Sequence, residues 1–203
     1  MEKLNSTARK LDIVAKIFSV MLTIAIVCCL VGLGIIAVGL IFKLDPHLIG
    51  TNYNVLDLGL LELEVADSHA PSERLVLMLT AAEIILTLLC LYRGLFAVKY
   101  IRNILQPMIE NAPFHNTIST NLVKLARCTC SIGIGINLLE LLNQVFSAKA
   151  FQLPELLLSD KITHITMNYH FDLGFLIVAA VLLLLSYVFR YGEQLQQLSD
   201  ETL

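Results

Sequence analysis

Residues 17–42 read IFSVMLTIAIVCCLVGLGIIAVGLIF, with Lys16 before them and Lys43 after. These 26 residues carry no charge. As a helix they would be about 39 Å long, enough to cross the ~30 Å hydrocarbon core of a bilayer with some tilt. A helix in a soluble bundle needs a polar face, and residues 24–40 offer none. The run is far longer than the roughly 7–15-residue core of a cleaved signal, and no small-x-small site follows it, so it is expected to remain as a span.

Three further spans are predicted by the same reasoning, at about 75–98, 122–146 and 171–191. Their apolar cores are residues 75–92, interrupted only by Glu83, residues 128–146, interrupted only by Glu140, and residues 173–189. The composition agrees. Apolar residues make up 57% of the 203-residue chain and charged residues 15%, whereas a soluble domain carries about 25% charged residues. The missing charge is missing in blocks, one block per span. A net charge of −3 gives no reason to expect direct contact with nucleic acid.

Basic residues set the orientation. Lys3, Arg9, Lys10 and Lys16 precede the first span. Arg93, Lys99, Arg102, Lys124 and Arg127 lie in or beside the link between the second and third, and Arg190 follows the fourth. The opposite side has Lys43, Arg74, Lys149 and Lys161, and its first link carries Asp45, Asp57, Glu62, Glu64, Asp67 and Glu73. Both termini are therefore expected in the cytoplasm. The reading is an all-α membrane protein, a single domain over residues 1–203. It has four transmembrane helices, a small extracytoplasmic β element, and cytoplasmic N- and C-termini. Outer loops span 43–74 and 147–170, a cytoplasmic link spans 99–121, and a cytoplasmic tail spans 192–203.

The segments between the spans carry their own signals. Leu4, Ala8, Leu11, Ala15 and Phe18 form one stripe at helical spacing, with Arg9, Lys10 and Lys16 off it. Residues 1–16 are thus either an amphipathic helix on the inner leaflet or an extension of the first span. Leu61, Glu62, Leu63, Glu64 and Val65 alternate as a strand does, and KITHITMNYHF from Lys161 is also β-rich, so the two outer links are expected to pair as a small sheet. Pro107 and Pro113 are expected to break the helix in the cytoplasmic link, and Asn116 or Thr117 to cap the next one.

Two stretches carry a resemblance. One is NAPFHNTISTNLVKLAR, with Pro113 and Phe114 leading into the third helix. The other is YGEQLQQLSDETL, in which Tyr191, Gly192, Leu195, Gln196, Asp200, Glu201, Thr202 and Leu203 fit Tyr-Gly-x-x-Leu-Gln followed by Asp-Glu-Thr-Leu. The chain resembles the bacterial membrane protein family known as domain of unknown function 2975. That resemblance implies four spans in a bacterial inner membrane. Through the usual gene neighbourhood of the family it also implies a small helix-turn-helix transcription regulator as a cytoplasmic partner. It brings no activity with it, because gene association is not mechanism.

The sharpest chemical signal is the pair of acids inside the spans. An ionised group in mid-span costs about 2.5–3.5 kcal/mol on insertion scales, so it needs a partner or a proton. By helical rise Glu83 lies roughly 12 Å, and Glu140 roughly 9 Å, below the same outer surface. Thr80, Glu83 and Thr87 share a helix face, as do Asn137, Glu140 and Gln144. A polar seam between the second and third spans could hold a proton, a cation or a polar ligand. The structural alternative is hydrogen bonding between helices, worth about 0.6 kcal/mol per contact. If the two carboxyls approach closely they would share one proton.

Other motifs carry less. Gly32-Leu-Gly34-Ile-Ile-Ala37 matches a dinucleotide fingerprint, but it lies inside a span with no strand before it. Cys28-x-x-x-Gly32 and Ser131-x-x-x-Gly135 read better as close helix contacts. Cys28, Cys29, Cys90, Cys128 and Cys130 lie in or beside apolar runs and are expected to pack as small apolar residues without disulfides. His47, His69, His164 and His170 form no close-spaced pair, so neither a metal nor a cofactor is expected. No nucleophile has a recognisable local motif, so no catalytic residue is assigned and an enzyme is least expected. In the tail, Leu195, Leu198 and Leu203 would pack onto the chain's own cytoplasmic link or onto a partner. The first functional expectation is a non-enzymatic regulatory or interaction protein. The second is a small ion- or proton-coupled carrier using Glu83 and Glu140. The third is protection against a membrane-active peptide.

Overall fold

The structure, a computed structural model, describes residues 2–42, 55–57, 62–64, 73–110, 115–150 and 171–201. Four long helices make up nearly all of it: α1 (Glu2–Phe42), α2 (Glu73–Ile109), α3 (Asn116–Ala150) and α4 (Gly174–Glu201). Each is long and apolar enough to cross a membrane. Only 6% of the most apolar stretch of α2 is buried within the protein, and 22% of that of α3, the most buried of the four. Large side chains such as Ile24, Val31, Ile85, Ile177 and Leu184 stand exposed. Water would not tolerate an apolar surface of that extent, so the solvent of these helices is lipid, and the chain is a multi-pass membrane protein.

Between α1 and α2 a short antiparallel ladder joins β1 (Val55–Asp57) to β2 (Glu62–Glu64), with Val55 opposite Glu64 and Asp57 opposite Glu62. Both strands come from the same link. The expected pairing with the second link falls on residues 151–170, which lie outside the described residues, as do Pro113 and Phe114.

One open alternative is decided and two local expectations are corrected. First, α1 runs unbroken from Glu2. Its 41 residues make a helix of about 61 Å, so the N-terminal segment extends the first span. Its inward stripe is Ala8, Asp12, Ala15, Ser19, Leu22, Ile26, Cys29, Leu33 and Ile36, all buried or half-buried. Steps of four and three alternate along it, the 3.5-residue period of helices that stay in contact over many turns. Leu11 and Phe18, which share the apolar stripe read from the sequence with Ala8 and Ala15, are exposed while the two alanines are buried. Second, Pro107 does not end α2, which continues to Ile109. The lost N–H would have bonded the carbonyl of Asn103, and beyond the proline the Glu110 N–H still donates to the Gln106 carbonyl at 3.1 Å. Most of the expected link at 99–121 is therefore helix. Third, His115 caps α3. Its Nδ1 accepts the Thr117 N–H at 3.3 Å and contacts the Thr117 hydroxyl at 2.8 Å, satisfying a donor of the first turn. At α4 the Asp172 carboxylate does the same for the Gly174 N–H at 2.7 Å.

By its contacts the chain forms two compact units. One comprises Met1–Val27, Leu89–Ile136 and Asp172–Leu203. Its core holds Ala8, Ala15, Val98, Leu105, Leu122, Ala126 and Ala179, together with Ile118, which is fully buried. Close approach is built from small residues, as membrane helices require where lipid supplies no hydrophobic drive. A Cβ at Gly133 would overlap the root of the Phe175 side chain, and one at Gly135 would overlap the Cys90 sulfur. The Ser186 hydroxyl, buried, donates to the Ser119 carbonyl at 2.9 Å and ties α4 to α3. The other unit comprises Cys28–Leu88 and Asn137–Phe171. There Leu77 and Ile36 are buried, and Gly32 faces Ile84 at an ordinary 3.8 Å.

Candidate functional site

The two intramembrane acids sit at matching positions along their helices. Glu83 is ten residues past the start of α2 and Glu140 ten before the end of α3, about 15 Å along each axis. Their surroundings differ. Glu83, Thr80 and Thr87 are half-buried, and so is Asn137, whereas Glu140 and Gln144 are exposed. The Thr80 hydroxyl donates to the Val76 carbonyl at 3.0 Å, one turn back on its own helix. That is the habitual local bond of a mid-helix threonine, and it spends the hydroxyl away from α3.

The tail continues the fourth span as a helix. α4 passes through Tyr191 and Gly192 without a break and ends at Glu201. Gln196 and Asp200 lie on this helix, while Thr202 and Leu203 are outside the described residues. Tyr191, Leu195 and Leu198, spaced four and three apart, form one stripe. Leu195 is 51% exposed and Leu198 60%. Leu203, the third leucine of the expected packing, and residues 111–114 of the link lie outside the described residues.

Charged and polar contacts concentrate where α1 and α2 leave their apolar runs. The Asp12 carboxylate meets Lys16 at 2.9 Å on its own helix and the Arg102 Nε at 3.0 Å on α2. Further along, Lys124 of α3 stands 5.9 Å over the Tyr100 ring of α2, within cation–π range. Tyr92, Phe96 and Tyr100 continue along one face of α2. Sequence reading counts Lys16 and Arg102 for sidedness and passes over Asp12. The signal was present: Asp12 and Lys16 stand four apart, the spacing of a helical ion pair. Arg102, ninety residues away, has no such signal.

All five cysteines are free; Cys128 is buried and Cys28 exposed. Among the described residues no three His, Cys, Asp or Glu side chains gather as a metal site would require. His47, His69, His164 and His170 lie outside those residues. Compared with known proteins, the chain matches no family model, no curated protein and no solved structure.

Proposed function

We propose that this chain is a non-enzymatic regulatory or interaction protein of a bacterial inner membrane, with both termini in the cytoplasm and the β1–β2 ladder outside. The exposed stripe of Tyr191, Leu195 and Leu198 carries the proposal. It prolongs an apolar face beyond the fourth span, on a segment whose other residues up to Glu201 are glycine, glutamine, serine and acids. Anchors at i, i+4 and i+7 are what a helix offers to a groove on a partner. The partner proposed is a cytoplasmic transcription regulator of the helix-turn-helix kind, which the resemblance of the tail to its family supports. The protein would hold that regulator at the membrane and touch no nucleic acid itself.

A photoreactive residue in place of Leu198, irradiated in intact cells, tests this. The expected product is an adduct with a soluble cytoplasmic protein. Adducts with lipid or with this chain alone would end the proposal.

A second reading, an ion- or proton-coupled carrier, draws on Glu83, an acid half-buried within an apolar span. It requires flux into liposomes that is lost in Glu83→Gln and in Glu140→Gln. The differing exposure of the two acids supports it less well than the tail supports the first.

A further inference from the structure

A cavity of about 670 Å³ opens between the N-terminal half of α1 and the C-terminal half of α2. This volume is in the range of small-molecule sites. Lys16, Lys99 and Arg102 line it against the one carboxylate of Asp12, leaving two positive charges in excess. Lys16 and Arg102 are partly occupied by Asp12. Arg102 reaches it through Nε alone, leaving its terminal nitrogens as donors. The Lys99 ammonium has no acid partner among the described residues.

The walls are mixed. Lys16 is the last charge before the uncharged run of α1. Ser19, Thr23, Leu95 and Val98 line the end towards that run, and Asn103, Gln106 and Ile109 line the other. Lys16 and Lys99 close the apolar runs of α1 and α2, where headgroups would lie, so a ligand at that level meets cations and hydroxyl groups beside Leu95 and Val98. Basic cavities between membrane helices at that level suit phosphate-bearing headgroups. A phosphate diester brings one negative charge and a monoester nearly two, which matches the excess.

We propose that this cavity binds a phosphate ester through Lys16, Lys99 and Arg102, with Asp12 as its built-in competitor. The chemistry is shared by an anionic glycerophospholipid and by a soluble phosphate monoester. The site lies apart from the tail and stands or falls without it.

The test uses the full chain in nanodiscs. One arm compares discs of phosphatidylcholine with discs doped with phosphatidylglycerol, counting retained lipid by native mass spectrometry. The other titrates glycerol phosphate into phosphatidylcholine discs. Lys99→Gln, an exposed change that touches neither ion pair, should weaken binding about fivefold. Asp12→Asn should strengthen it by a similar factor, a sign opposite to that of general damage. Retention of phosphatidylglycerol alone assigns a lipid, and binding of glycerol phosphate alone assigns a soluble ester. Binding of neither, or binding that both substitutions leave unchanged, overturns the proposal.

Discussion

The ring of Phe175 on α4 occupies the space that a side chain at Gly133 on α3 would need. The overlapping atoms are the Cβ, Cγ and Cδ1 of Phe175, the root of the side chain, which no change of rotamer can clear. Gly133→Ala must push the two helices apart. The expected cost is about 1–3 kcal/mol, the usual range for overpacking. It would be read as a lower thermal midpoint in detergent. Phe175→Ala in the same chain should recover part of it, because the two residues are in contact and their effects are not additive.

Gly135 makes a graded comparison. The obstacle there is the Cys90 sulfur, a single atom that can rotate aside. Gly135→Ala should therefore cost less than Gly133→Ala. Combined with Cys90→Ala it should return close to the parent midpoint. Equal losses at Gly133 and Gly135 would mean that glycine matters there for some other reason than space.

Ser186→Ala removes the one described hydrogen bond from α4 to the Ser119 carbonyl. Such bonds between membrane helices average about 0.6 kcal/mol, so the loss should be small but measurable. Ser186→Leu should cost more, since the site is buried and the added volume has nowhere to go.

The spans are legible in the sequence because lipid imposes one blunt rule, the absence of charge over about 20 residues. What happens at the ends follows finer rules. His115 caps α3 with a ring nitrogen, a role that capping preferences assign first to Asn, Asp, Ser and Thr. Asp12 falls on the inward stripe because that stripe steps from Ala8 to Asp12 and from Ala15 to Ser19, where the other reading steps to Leu11 and Phe18 at the same period. A stripe drawn through Leu11 and Phe18 selects hydrophobic residues, and in a membrane these turn outward to lipid as readily as inward. The tail carries its apolar spacing openly in Tyr191, Leu195 and Leu198, yet spacing alone does not say whether a stripe is covered. The contact of Arg102 with Asp12 depends on how two helices meet, which no local pattern encodes.

Arg102→Gln breaks the contact from α2 to Asp12. Both side chains are partly exposed, and pairs of this kind contribute about 0–1 kcal/mol. The stability change should stay within that range and shrink further in high salt, where the Debye length falls to about 3 Å at 1 M. A larger loss that salt leaves untouched would show that Arg102 supports packing.

Leu195→Ser together with Leu198→Ser should leave the stability within about 0.5 kcal/mol of the parent, as surface changes usually do. The same double change should abolish any partner adduct formed from the tail. Stability and partner binding are thereby separated in one variant.

The central claim is that the chain crosses the bilayer four times and returns both ends to the same compartment. Paired reporters that report cytoplasm or exterior, fused after residue 203, within 111–114 and within 65–70, test it most directly. The expected result is a cytoplasmic signal at the first two positions and an exterior signal at the third. A common signal at all three positions, or opposite signals at residue 203 and at 111–114, would contradict it.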